Sequence, residues 1–186
     1  HGATDVLINN AGVGCVAPVA DAGYEDFAWV LGVNLWGVIH GVKAFLPQLV
    51  ARPEAHLVTM ASINAFLPFP TSGPYNVAKS GVEALSETLM AELSGTGVAV
   101  TTVYPGGIKT AISRNARYTT REDHAGFERR AMTTPERAAR VIVRGLEGNR
   151  RRIYVGVDAR LMALARRLAP LGMLRLVTWG WRRSEG

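Results

Sequence analysis

His56-Leu57-Val58-Thr59-Met60-Ala61-Ser62 and, a short loop later, Tyr75-Asn76-Val77-Ala78-Lys79 decide how this chain folds. The first stretch is short and almost continuously apolar, as a buried strand of a parallel sheet demands. It delivers Ser62 at its C-terminal end, where open α/β sheets bind ligands. Pro68, Pro70, Gly73 and Pro74 form the loop that leads to the second stretch. That stretch opens a helix expected to run to about Leu93, with Gly95 and Gly97 terminating it. Positions i and i+4 share a helix face, so the Lys79 ammonium can sit beside the Tyr75 phenol. A free tyrosine has a pKa of about 10, too high for efficient proton transfer near neutrality, and a nearby cation lowers it. Ser62, thirteen residues before Tyr75, could hold a substrate oxygen while Tyr75 exchanges a proton with it. Taken alone, the Tyr-Lys spacing is a weak signal, because any amphipathic helix can carry it.

Outward from this centre the chain alternates. Val6 to Asn9 is expected as a buried strand, Tyr24 to Leu49 as one long helix frayed at Pro47, and Val98 to Val103 as a third strand. Residues 111 to 132 are polar and charged, with apolar points at Ile112, Tyr118 and Phe127. Thr134 is expected to cap a helix that has Pro135 at its first position and ends near Gly145 to Gly148. Ile153 to Val157 is expected as a fourth strand. Such alternation argues for a parallel sheet. Beyond it, Leu161, Leu164, Ala165 and Leu168 make an apolar helical stripe that Pro170 and Gly172 should break.

Three more motifs complete the set. Asn9-Asn10-Ala11-Gly12 follows the first strand, Asn34 lies in Gly32-Val33-Asn34-Leu35-Trp36-Gly37, and Pro105-Gly106-Gly107-Ile108-Lys109-Thr110 follows the third strand. In order and spacing these residues, with Ser62, Tyr75 and Lys79, resemble the short-chain dehydrogenase/reductase family over about residues 1 to 157. The resemblance implies a Rossmann-like, doubly wound parallel sheet, of which only the C-terminal part, about four strands with flanking helices, is expected here. The glycine-rich pyrophosphate loop of such folds, and the residue that selects NAD or NADP, are absent from this sequence. The chain is therefore expected to be the C-terminal part of a longer protein.

The resemblance also implies roles. Tyr75 would be the catalytic acid/base. Lys79 would lower the Tyr75 pKa and bind the nicotinamide ribose. Ser62 would orient the substrate oxygen, and Asn34 would hold a water that links Lys79 to solvent. Asn10, Ala11 and Gly12 would line the adenosine side of an NAD or NADP cofactor. Pro105, Gly106, Ile108 and Thr110 would pass beside the nicotinamide, with Tyr75 and Lys79 also touching the cofactor. Residues 111 to 132 fall where the family places its substrate lid. Their mix of Arg114, Arg117, Tyr118, Arg121 and Phe127 names no substrate, while the apolar points Ile112, Tyr118 and Phe127 suggest a hydrophobic alcohol or ketone.

The expected activity is NAD(P)-dependent interconversion of an alcohol and a carbonyl. A sugar epimerase or dehydratase on the same scaffold is the enzymatic alternative, and an inactive, self-associating fragment the non-enzymatic one. A Ser62/Lys79 hydrolase is disfavoured because no G-x-S-x-G elbow surrounds Ser62. His40, His56 and His124 lack metal-ligand spacing, so no metal is expected. Cys15 is the one cysteine of 186 residues; it is read as a spectator or pocket-lining thiol, and a reducing, cytoplasmic setting fits. Nearly half the residues are apolar, and no uninterrupted apolar run is long enough to read as membrane-spanning. The net charge of +6 is concentrated after residue 158, where six arginines face one acid, Glu185. No nucleic-acid signature accompanies it. Residues 158 to 186 are expected as a basic and apolar tail, packed on the core, on a partner subunit or on a membrane surface. The long helices beginning at Tyr24 and Tyr75 resemble the pair by which this family forms homo-oligomers.

Overall fold

A computed structural model describes residues 2–119, 125–127, 129 and 131–184. Arg121, His124 and Glu185 lie outside the described residues. Strands β1 (Val6–Asn9), β2 (Ala55–Met60), β3 (Val98–Pro105) and β4 (Arg152–Val155) form one parallel sheet in the order β1-β2-β3-β4. Leu57 pairs with Val100, and Val103 with Ile153. The central strands carry apolar residues on both sides because both faces are covered. Toward α2 (Gly37–Val50) and α3 (Gly73–Glu92), Leu57, Val100 and Tyr104 pack with Val38, Val42, Leu49 and Val82. On the other face Val58, Val103 and Val155 meet Ala138 of α4 (Pro135–Glu147). Each fully buried side chain of this size contributes about 1.5–3 kcal/mol. Strand β1 lies at the sheet edge, with Val6 and Ile8 about half exposed.

The stretch expected as a single helix from Tyr24 is divided. An α-helix, α1 (Tyr24–Leu31), passes through a π-helical segment at Gly32–Trp36 before continuing as α2 to Val50, with Pro47 inside its last turn. The cause is Asn34. Its amide Oδ1 accepts from Val13 N at 2.8 Å and its Nδ2 donates to Val13 O at 2.8 Å, which draws the helix toward the turn after β1. Single π turns of this kind occur mostly at functional sites. By length and composition the continuous run Tyr24–Val50 could cross a bilayer. Its inner face, however, carries Val30, Val38, Val42 and Leu49, all buried against the rest of the fold.

Thr134 caps α4 as its sequence predicts, its hydroxyl accepting from Arg137 N at 3.3 Å. The fourth strand is shorter than expected and starts one residue earlier, because Gly156 turns the chain with φ +107°, a conformation open essentially to glycine. Helix α5 (Val157–Leu168) begins there, and α6 (Pro170–Ser184) follows. The break falls at Pro170, as expected, but Gly172 lies within α6 and does not interrupt it.

Candidate active site

The C-terminal ends of β1, β2 and β3 bring the predicted residues to one side of the sheet. Ser62 follows β2, buried, and caps a short 3-10 turn at Ile63–Ala65. Its hydroxyl accepts from Asn64 N at 3.2 Å and donates to Asn64 Oδ1 at 3.3 Å. Asn64 Nδ2 in turn donates to Asn76 Oδ1 at 2.7 Å, and Asn76 Nδ2 to Phe69 O at 2.8 Å. Asn64 and Asn76 thus fix Ser62 relative to the first turn of α3, which carries Tyr75. The Tyr75 phenol is near enough to the Ser62 hydroxyl for that hydroxyl to favour its ionised form. Lys79, one helical turn on, is buried; its Nζ donates to Met60 O at 2.7 Å and lies 5.6 Å from the Tyr75 ring centroid.

The electrostatics differ from the sequence expectation in one respect. Burial raises the Tyr75 phenol above its ordinary pKa, and the Ser62 hydroxyl offsets only part of that. The Lys79 ammonium, turned to the Met60 carbonyl, does not bring it down. Lys79 is itself pushed down to about 8 by burial. This arrangement therefore holds Tyr75 protonated and ready to donate.

Asn34 is fully buried. A Cβ placed on Gly12 would lie 3.5 Å from Asn34 Oδ1 and 3.8 Å from Lys79 Nζ, so turn, amide and ammonium border one space. Asn10, Ala11 and Gly12 are exposed along its rim. This open cradle beside a buried ammonium, with donors but no large side chain, fits a nucleotide approaching by its ribose and backbone contacts.

The loop after β3 is held from beneath by a residue that the sequence reading missed. Asp158 Oδ2 accepts from Gly107 N at 2.6 Å, and Thr133 O accepts from Lys109 N at 2.9 Å. Ile108 forms a parallel bridge with Thr133. Pro105, Gly106, Ile108 and Thr110 are all half-buried along this loop. A Cβ on Gly106 would overlap the Asp158 carboxylate. Gly106→Ala is accordingly expected to cost about 1–3 kcal/mol of stability, as overpacking does. Adding Asp158→Ala should recover part of that loss. Denaturant unfolding of the single and double variants checks this; strictly additive losses would contradict the contact.

Within the stretch expected as the substrate lid, Arg117 and Tyr118 are latched. Asp26, buried in the first turn of α1, accepts from Arg117 Nη1 at 2.7 Å, from the Tyr118 hydroxyl at 2.9 Å and from Gly23 N at 3.0 Å. Arg117 N donates to Gly14 O and Arg117 O accepts from Val16 N, which joins this stretch to the segment after β1. The Arg117 guanidinium also lies 4.4 Å from the Trp29 ring centroid. Cys15 is buried at this junction, and burial pushes its thiol pKa up, as befits a spectator. The hydrogen bond from Arg117 holds the Asp26 carboxyl below its usual range. A depressed carboxylate contributes stability above its unfolded pKa, near 3.8, that is lost as the pH falls through the folded value. Asp26→Asn should therefore lower the melting temperature at neutral pH, and the gap from the unsubstituted protein should close from about pH 5 to 3. Melting curves over that range test it, and a constant gap would contradict the latch.

A parallel sheet covered on both faces gathers a hydroxyl, a phenol and an ammonium at its C-terminal end. The short chain dehydrogenase family profile matches residues 1–121. A Mycobacterium tuberculosis protein named "Putative oxidoreductase SadH" is 35% identical over 186 residues, an alignment that covers 96% of this chain and 67% of that protein. Among solved structures, a short chain dehydrogenase/reductase from Burkholderia phymatum in complex with NAD superposes with a TM-score of 0.76 at 29% identity, covering 90% of this chain and 68% of the other. A short chain dehydrogenase from Burkholderia cenocepacia in complex with NADP gives 0.79 at 25% identity, with 92% and 68% covered. The chain belongs to the short-chain dehydrogenase/reductase family, oxidoreductases built on an NAD(P)-binding Rossmann-like sheet.

Proposed function

We propose that the protein interconverts a secondary alcohol and its ketone, or a primary alcohol and its aldehyde, with NAD or NADP, and that Tyr75 is the acid/base. The observation that carries this proposal is a buried Ser62 and a buried Lys79 brought to the same end of the sheet as Tyr75, with Lys79 Nζ 5.6 Å from the Tyr75 ring centroid. The nicotinamide, when bound, supplies or accepts the hydride at the substrate carbon. Ser62, aligned by Asn64, holds the substrate oxygen by hydrogen bond. Tyr75 gives its phenolic proton to that oxygen in reduction and takes one back in oxidation. Lys79 and Asn34 restore the Tyr75 proton, Lys79 also holding ribose hydroxyls and Asn34 a relaying water. Asn10, Ala11 and Gly12 receive the adenosine side, and Pro105, Gly106, Ile108 and Thr110 the nicotinamide side. The half-buried Ile112 and Phe127 in the lid region favour an apolar substrate.

Exposed Trp36, Phe45 and Val77, on or beside α2 and α3, suit a homo-oligomeric contact. The functional proposal is tested by titrating the protein with NADH and with NADPH and then following cofactor oxidation with a panel of aryl and long-chain ketones. Saturable binding of one cofactor with ketone-dependent oxidation is expected. Binding of neither, with no turnover on any ketone, would contradict the proposal.

A further inference from the structure

We propose that the consecutive helices α5 and α6 form a docking surface for an anionic lipid bilayer. Val157, Leu161, Leu164 and Leu168 recur at helical spacing along α5, yet all four point outward; Leu161 is 61% exposed and Leu168 74%. Residues so spaced share one face, and on an amphipathic helix that face is normally the buried one. Here the buried side is the opposite one. Ala159 is buried, and Arg166 Nε donates to Phe66 O at 2.9 Å, tying α5 to the body of the fold. Helix α6 adds further exposed apolar side chains, Leu171, Leu174 and Trp179, the last 54% exposed.

Charge decides what covers this surface. Arg160 and Arg167 flank the α5 stripe, and Arg175, Arg182 and Arg183 are exposed on α6. The Arg183 guanidinium stacks 4.1 Å from the Trp179 ring centroid. Among the described residues of these two helices the one acid is Asp158, and its carboxylate is turned inward to Gly107 N. Every charge that faces outward there is therefore positive. A second copy docked face to face on this surface would set arginines against arginines across a two-fold axis. A bilayer with anionic headgroups satisfies both features: leucines enter the acyl boundary, arginines meet phosphates, and the Trp-Arg pair sits at headgroup level. Because Asp158 in the first turn of α5 holds Gly107 of the loop after β3, docking would bring the active-site side of the sheet toward the lipid.

Co-sedimentation of the protein with vesicles of phosphatidylglycerol mixed with phosphatidylcholine, against pure phosphatidylcholine vesicles, tests this. The variants are Leu161→Ser with Leu168→Ser, and Arg182→Glu with Arg183→Glu. These exposed positions leave the core intact, and circular dichroism confirms it. Binding to the anionic vesicles at least tenfold stronger than to the neutral ones is expected. It should weaken in high salt and fall at least tenfold in each double variant. Equal partitioning between the two vesicle types, or variants that bind like the unsubstituted protein, would overturn the proposal. So would absent vesicle binding together with a dimer, seen by sedimentation velocity, that Leu161→Ser with Leu168→Ser dissociates; a second copy would then be the occupant. The readout is lipid binding and stands apart from any enzymatic activity.

Discussion

Tyr75→Phe is expected to lower turnover by about 10²- to 10⁴-fold, the usual weight of a positioned proton donor, while NADH or NADPH still binds. The substitution removes one oxygen and keeps the ring. The hydroxyl is the group on which the Ser62 side chain acts, and burial favours its protonated form. Without it, nothing else on the first turns of α3 can deliver a proton to an oxygen held by Ser62, because the Lys79 ammonium is turned to Met60 O at 2.7 Å. Folding should be little affected, since Ser62 keeps its two bonds to Asn64. Steady-state kinetics alongside a cofactor titration separate the two effects. Turnover near that of the unsubstituted protein would remove Tyr75 from the chemistry.

Lys79→Met is expected to abolish turnover and yet stabilise the fold at neutral pH. Burial takes the lysine from its ordinary 10.5 down to about 8. The unfolded chain therefore binds more protons than the folded one between those two values, so stability rises with pH across that window. Below it the buried ammonium costs about 3 kcal/mol. Methionine has similar reach and no charge. It forfeits the charge-assisted bond to the Met60 carbonyl, worth about 1.5–3 kcal/mol, so a net gain of up to about 1.5 kcal/mol remains. Denaturant midpoints at about pH 7 and 10 test this: the variant should lead at the lower pH and the difference should shrink at the higher one. A variant less stable than the unsubstituted protein at neutral pH would contradict the buried-cation account. Such a result would leave the Tyr75 argument untouched.

The fold's outline was legible because parallel strands buried on both faces read as short apolar runs, and His56 to Met60 and Val98 to Val103 are of that kind. The site was legible where chemistry follows local spacing, as with Tyr75 and Lys79 on one helix face. Contacts between residues far apart in the chain were not legible. Asp158 supports Gly107 from 51 positions away, and Asp26 receives Arg117 across 91. Each aspartate sits in the first turn of a helix, where an acid is sufficiently explained by the helix dipole. The pair Gly106-Gly107 was the available signal that something approaches that loop closely. The π turn at Asn34 left no trace in the apolar period, which runs through it. Lowering of the Tyr75 pKa by Lys79 was inferred from proximity alone, and burial outweighs it here because the lysine is engaged by a carbonyl. The outward turn of the α5 stripe was equally hidden: periodicity reports that a face exists, not which way it points.

The central claim is that Ser62, Tyr75 and Lys79 serve a hydride transfer between cofactor and carbonyl. It is met most directly by following deuterium from the nicotinamide C4 of labelled NADH or NADPH into the alcohol formed from a reduced ketone, with Tyr75→Phe alongside. The account predicts deuterium on the new carbinol carbon, an oxygen-bound hydrogen drawn from solvent, and almost no labelled product from the variant. Alcohol formed without deuterium, or label transferred as well by the variant, would contradict it.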